Sequence, residues 1–224
     1  MKPSPDSAPL GIMGGTFDPV HFGHLRLAEE ARQALGLARV LWIPAGQPPH
    51  RAAPGVAAED RLQMVRLAVA RNSHFQVDDA EVRSAAPSYS VATLERLRAL
   101  HGPQRPLVLL LGSDAFTGLP TWHRWEELFA LAHIGVATRP GYELTASALP
   151  PPLAHHCATR LTAEGARLAR QPAGCIATFA MTALAISASA IRAAIAAGRS
   201  VAYLLPDSVL DYIETKGLYL PHGR

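Results

Sequence analysis

Short apolar runs alternate along this chain with longer segments in which apolar residues recur every three or four positions. Leu10 to Met13 is the first run, and it ends in Gly14-Gly15. Residues 21–35 place Leu25, Ala28, Ala31, Ala34 and Leu35 at helical spacing, with Gly36 as a stop. Val40-Leu41-Trp42-Ile43 predicts a second strand, closed by Pro44. Residues 57–71 predict a helix, 74–77 a short strand and 89–100 another helix. Leu107 to Leu111 is unbroken apolar sequence before Gly112, the pattern of a strand covered on both faces. Residues 123–130 predict a helix and 134–138 a strand. From 140 to 174 the pattern weakens. Pro140, Gly141, Pro150, Pro151, Pro152, Pro172 and Gly174 mark a loop-rich insertion there, with one helix around 159–170. Ile176 to Met181 predicts a late strand. Helices over 188–197 and 206–215 follow, and Pro206 suits the first turn of the last one.

Strands alternating with helices imply right-handed crossovers, and so an α/β fold with a doubly wound, mostly parallel sheet and a helical C-terminal part. Regular signals resume after the insertion, so it is no linker. Residues 1–224 are expected to form a single domain without internal repeats.

Composition narrows the function without naming it. A chain of 224 residues can bury a sizeable core. Its apolar fraction of 49% is that of an ordinary globular protein, which excludes disorder. Lys and Arg number 21 against 18 Asp and Glu, and the arginines are scattered. Duplex nucleic acid calls for a concentrated basic face, so no nucleic-acid partner is expected; mild positive charge suits an anionic small molecule. Cys157 and Cys175 match no zinc or redox spacing and are expected to be reduced thiols. His155, His156 and Cys157 are adjacent, and adjacent residues rarely converge on one ion, so no protein-held metal is expected. The opening residues lack the apolar run of a signal peptide, and no apolar stretch approaches the ~20 residues that span a bilayer. A soluble, cytoplasmic protein is expected.

The candidate chemistry starts where the first strand ends, with Gly14-Gly15-Thr16-Phe17-Asp18-Pro19-Val20-His21-Phe22-Gly23-His24. Ligands of open parallel sheets bind at such strand ends. Gly14 and Gly15 allow a sharp turn close to a ligand. Asp18 and Pro19 resemble a cap and a first-turn proline. His21 and His24 are three apart and share a helical face, and Gly23 has no side chain to block a phosphate. The N–H groups and positive dipole end of that helix favour an anion, to which two imidazoles can add hydrogen bonds.

This run resembles the GxFxPxHxGH signature of the HxGH nucleotidyltransferases. Ile186-Ser187-Ala188-Ser189-Ala190-Ile191-Arg192 resembles their second signature, ISxTxIR, with Ser189 in place of the usual Thr. Ser187 can cap a helix, and Ser189 and Arg192 can share a face as a second anion clamp. Over nearly its full length the chain is similar to the bacterial nicotinate-nucleotide adenylyltransferases. The matching pieces include Pro48-Pro49-His50-Arg51, Pro87-Ser88-Tyr89-Ser90, Gly112-Ser113-Asp114, Pro120-Thr121-Trp122, Arg139-Pro140-Gly141-Tyr142 and Gly217-Leu218-Tyr219.

The resemblance implies a Rossmann-like nucleotidyltransferase fold and transfer of AMP from ATP to nicotinate mononucleotide, in NAD biosynthesis. It implies that His21, His24 and Arg192 are catalytic. Gly14, Gly15, Thr16, Phe17, Gly23, Gly112, Asp114, Ile186, Ser187 and Ser189 would contact ATP. His50, Arg51, Tyr89, Ser90, Trp122 and Arg139 would contact the acceptor. Tyr89 and Ser90 would receive the nicotinate carboxylate on backbone N–H groups, and Trp122 would stack on the pyridine ring. The chain departs from the family at Ser90, usually Thr, and at His123, usually Tyr, which leaves the strength of acid-over-amide selection open. Mg²⁺ would arrive with ATP, held by phosphates and water rather than a carboxylate cage. Nicotinamide mononucleotide or phosphopantetheine remain alternative acceptors, and a catalytically silent nucleotide sensor is the alternative outside the enzymes.

Overall fold

The computed structural model describes residues 8–49, 54–138, 144, 149–162 and 165–221. Among these residues, seven strands form one sheet: β1 (Leu10–Gly15), β2 (Arg39–Pro44), β3 (Phe75–Val77), β4 (Leu107–Gly112), β5 (His133–Thr138), β6 (Leu161–Thr162) and β7 (Ile176–Ala180). Their order across the sheet is β3-β2-β1-β4-β5-β7-β6. The pairings of β1 with β4, β4 with β5, β5 with β7 and β7 with β6 are parallel. Helices α1 (Phe22–Ala34), α2 (Ala58–Val69), α3 (Ser90–His101), α4 (Ser113–Thr117), α5 (Leu128–Leu131), α6 (Pro151–Arg160), α7 (Ala188–Ala196) and α8 (Asp207–Lys216) connect and flank the strands. This is the doubly wound α/β architecture expected from the alternation of patterns. Among the described residues, no helix is long and apolar enough to cross a membrane.

The chain divides into two compact units. The first comprises Met1–Gly14, Leu27–Leu41 and Tyr89–Thr182. Its core is the apolar run of β4 with β5, buried throughout, and β7, buried at Ile176, Ala177 and Phe179; α3 adds Val91, Leu94 and Leu97. Arg98, near the end of α3, staples neighbouring loops by donating to the carbonyls of Leu131, Arg105 and Pro172. The second unit comprises Gly15–Arg26, Trp42–Ser88 and Ala183–Arg224. Its core gathers Trp42 between Phe17, with ring centroids 5.3 Å apart, and Phe75, 5.5 Å apart. Helices α2 and α8 pack together there, bridged by the Tyr212 hydroxyl donating to Asp60 at 2.8 Å.

Three sequence expectations are corrected. The helix over 123–130 is a 3-10 turn at Trp125–Glu127 followed by the single turn of α5. Arg124 sits in the left-handed region (φ 51°), where a helix cannot run through it, and its guanidinium pairs with Glu95 and Glu127. The insertion's helix is α6, at Pro151–Arg160 rather than 159–170, and Gly165–Ala169 is only a 3-10 turn. Pro151 and Pro152 fill the first turn of α6, where a missing N–H costs nothing. Pro206 immediately precedes α8 rather than lying within its first turn.

Candidate active site

The second unit holds the run from Gly15 to His24 and the run from Ile186 to Arg192, both expected to bind phosphate. As β1 ends, Gly15 accepts a hydrogen bond from the Ala45 N–H at 2.9 Å. A Cβ on Gly15 would stand 2.9 Å from the Phe17 ring, whereas one on Gly14 would meet nothing within 4 Å. Phe17 adopts a left-handed backbone (φ 51°) although it is not glycine. That costs roughly 1–2 kcal/mol, offset by burial of its ring against Trp42 and edge-on to His24 at 5.2 Å. Asp18 and Pro19 do not cap α1, which begins at Phe22; Asp18 is turned inward instead, 5% exposed.

His21 stands just before α1 and stacks on His24, with ring centroids 3.8 Å apart and planes inclined by 27°. The His21 N–H donates to Nδ1 of His24 at 3.3 Å. With Nδ1 accepting, the neutral form of His24 carries its proton on Nε2. His21 is 6% exposed, and burial lowers its pKa to about 4, so it is neutral near pH 7. Its Nδ1 is buried without a hydrogen-bond partner among the described residues. Leaving such an atom unpaired costs about 1–3 kcal/mol, which a bound ligand can recover. Gly23 has a second use here. A Cβ at that position would lie 3.0 Å from Cε1 and Nδ1 of His21, so glycine makes room for the imidazole itself.

The second motif starts beside the first, with the Ile186 carbonyl 3.8 Å from where a Gly23 Cβ would be. Ser187 is the N-cap of α7: its Oγ accepts the Ala190 N–H at 3.2 Å and lies 3.3 Å from Ser189 Oγ. One turn further on, Arg192 donates from Nη1 to the Asp18 carbonyl at 2.7 Å. The fold thus brings the run with two imidazoles at the start of α1 beside the run with two hydroxyls and a guanidinium in α7, groups whose donors suit phosphate oxygens.

Arg61 is a residue the sequence reading passed over. It is 1% exposed in α2 and donates to the Thr16 carbonyl at 2.7 Å and the Gly46 carbonyl at 3.1 Å, fastening the glycine turn from below. Burial lowers its pKa, opposed by the charge of Asp18. A signal for it exists: Arg61 falls on the same helical stripe as Met64 and Val65, where a charge is out of place unless it has a job.

The first unit holds Tyr89, Ser90 and Trp122, implied for the acceptor, and Gly112 and Asp114, implied for ATP. Tyr89 is the N-cap of α3, Ser90 its first residue, and no side chain caps that helix. The Tyr89 ring lies 4.4 Å from that of His123, inclined by 33°. Half-buried Trp122 closes the 3-10 turn Leu119–Thr121, its N–H donating to Leu119 at 2.9 Å. Gly112 precedes α4 with open space where a Cβ would be. Asp114 is exposed and makes no cap bond to α4, so helix capping does not account for it. His50, Arg51 and Arg139 lie outside the described residues. Away from these groups, His156 stacks on Phe129 at 4.8 Å, and burial pushes the Cys157 thiol up to about 11, leaving it an inert core thiol.

Comparison with known proteins follows the same lines. The model of the cytidylyltransferase-like family matches residues 12–194. A protein of Dechloromonas aromatica named "Probable nicotinate-nucleotide adenylyltransferase" is 60% identical over 213 residues, covering 95% of this chain and 98% of that one. Proteins of the same name from Halorhodospira halophila and Pseudomonas syringae pv. tomato are 49% and 48% identical over 94% of this chain, covering 94% and 93% of their own lengths. In fold, the chain is similar to the Plasmodium falciparum nicotinic acid mononucleotide adenylyltransferase complexed with NaAD, at a TM-score of 0.72 and 16% identity, over 95% of this chain and 97% of that one. The chain belongs to the cytidylyltransferase-like family and, within it, to the nicotinate-nucleotide adenylyltransferases.

Proposed function

We propose that this protein transfers AMP from ATP to nicotinate mononucleotide, giving nicotinate adenine dinucleotide and pyrophosphate. The observation that carries the chemistry is the stacked His21–His24 pair at the start of α1, with the Ser187–Arg192 motif brought to the same place. The names of relatives up to 60% identical support the choice of acceptor.

In the reaction, an oxygen of the acceptor phosphate forms a bond to the α-phosphorus of ATP. The bond from that phosphorus to the bridging oxygen breaks, and pyrophosphate leaves with the electron pair. The nucleophile is already an anion, so no general base is required, and the protein's work is positioning and charge stabilisation. His24 donates from Nε2 to the phosphate oxygens as charge builds there. Neutral His21 offers a hydrogen bond from a dry site rather than a charge. Ser187, Ser189 and Arg192 hold the β and γ groups, while Gly14 to Phe17 and Gly23 lie against the nucleotide. Gly112 and Asp114 face the adenosine. Tyr89 and Ser90 present N–H groups to the nicotinate carboxylate, Trp122 stacks on its ring, and His50, Arg51 and Arg139 complete the acceptor contacts. A cage of hard oxygen ligands is not what these residues offer, so they fit a Mg²⁺ that enters on ATP and is held mainly by phosphates and water. Bound there, it offsets triphosphate charge.

The test is incubation of the protein with ATP, Mg²⁺ and nicotinate mononucleotide, following both products. Pyrophosphate and the dinucleotide should appear one for one. ATP consumption without dinucleotide would overturn the reading.

A further inference from the structure

The Asp18 carboxylate is a hub that phosphate binding alone does not require. Its Oδ1 accepts the Tyr219 hydroxyl at 2.8 Å, and its Oδ2 accepts the Gly55 N–H at 2.8 Å. Arg192 reaches the same residue twice: Nη1 donates to the Asp18 carbonyl at 2.7 Å and lies 3.6 Å from Oδ2. Packing closes the arrangement. A Cβ at Gly55 would stand 3.4 Å from Cδ of Arg192 and 3.4 Å from two ring carbons of Tyr219. The chain turns sharply to deliver that ring, with left-handed conformations at Gly217 (φ 61°) and again at Tyr219 (φ 64°). Burial and the adjoining carboxylate push the Tyr219 phenol up, so it remains a donor throughout the working pH range. Asp18 is closed off from solvent, whereas the Arg192 side chain is still 36% exposed.

A guanidinium carries five N–H donors in a planar fork. Asp18 engages the fork through Nη1, while the side chain as a whole stays partly exposed. We infer that Asp18, itself held by Tyr219 and Gly55, is a positioning residue for Arg192, presetting the guanidinium so that its outward N–H groups meet the triphosphate of ATP. The identity of that ligand rests on the adenylyl-transfer reading. A long side chain that is already ordered loses less freedom when the ligand arrives, so the anchor acts on ATP binding. It has no such hold on the acceptor. The last turn of the chain is thereby part of the nucleotide site, although it carries no phosphate-binding residue.

The experiment is equilibrium binding of α,β-methylene ATP with Mg²⁺ to wild type, Tyr219→Phe, Asp18→Asn, Arg192→Ala and the Asp18→Asn/Arg192→Ala double variant, each checked by thermal melting. Tyr219→Phe should weaken binding about threefold to tenfold, and Asp18→Asn about tenfold or more, as expected for hydrogen bonds to a charged group. In the Arg192→Ala background, Asp18→Asn should add less than about twofold, because coupled residues are not additive. KM for nicotinate mononucleotide should not follow. Unchanged affinity in Tyr219→Phe and Asp18→Asn, or fully additive losses in the double variant, would overturn the inference. If Asp18→Asn does not fold, Tyr219→Phe, which keeps the ring in place, decides alone. A wild type that binds the analogue but makes no dinucleotide removes the proposed reaction and leaves this inference to the binding series. A wild type that does not bind the analogue defeats both.

Discussion

At the scale of single residues, the two histidines are chemically unequal although they stack on one another. His24 accepts a backbone N–H on Nδ1, so its neutral form donates from Nε2, the contact proposed for the phosphate. That contact should strengthen as charge builds on the phosphate, so His24→Ala should lower kcat far more than it weakens ATP binding. The expected loss is on the order of 10²–10³ in kcat, or about 3–4 kcal/mol; steady-state kinetics with a near-normal kcat would remove His24 from the reaction. His21 makes its mark on stability. Its folded pKa, about 4, lies below the 6.5 of the exposed group, so between those values the unfolded chain binds a proton that the folded chain refuses. Stability should therefore be complete above about pH 6.5 and fall as the pH drops toward 4, by up to about 3 kcal/mol from this group. Buried His133, also lowered, slopes the same way, so the check is the melting temperature of wild type against His21→Gln across that range. The substitution should flatten the decline, and parallel curves would contradict the assignment.

At the scale of elements, the glycine turn is held by a helix distant from it in sequence. Arg61→Met keeps bulk in α2 and removes both donors to the Thr16 and Gly46 carbonyls. A destabilisation on the order of 2–4 kcal/mol is expected in denaturant titration, with a raised KM for ATP as the turn loosens; a neutral variant would show that the turn stands without it. The sequence made the sheet legible because β4 and β2 carry runs of apolar residues, and the motifs legible because Gly-Gly and His-x-x-His sit at a strand–helix junction. It hid what depends on distant partners. Nothing local tells that Asp18 turns inward to Tyr219 and Gly55 rather than capping α1. Left-handed Arg124 shortened a periodic helical pattern, and a run of prolines that read as loop supplied the first turn of α6.

At the scale of the whole molecule, the residues implied for the donor lie largely in one compact unit and those implied for the acceptor largely in the other. Variants on the acceptor side should accordingly leave ATP affinity nearly intact. Trp122→Ala should weaken use of both the acid and the amide mononucleotide and leave the ratio of their kcat/KM values almost unchanged, since stacking reads the ring and not its substituent. A large change in that ratio would show that Trp122, or its neighbour His123 against Tyr89, reads the carboxylate. The most direct test of the account is the wild type's own choice between these acceptors, as kcat/KM for nicotinate mononucleotide against nicotinamide mononucleotide with saturating ATP and Mg²⁺. No side chain caps the start of α3; its backbone N–H donors, the contacts proposed for the acceptor, would pair with a carboxylate and clash with the NH₂ of an amide. At about 1–3 kcal/mol per buried mismatch, the acid should be preferred by roughly tenfold to a few hundredfold. Equal use of the two, or a preference for the amide, would contradict it.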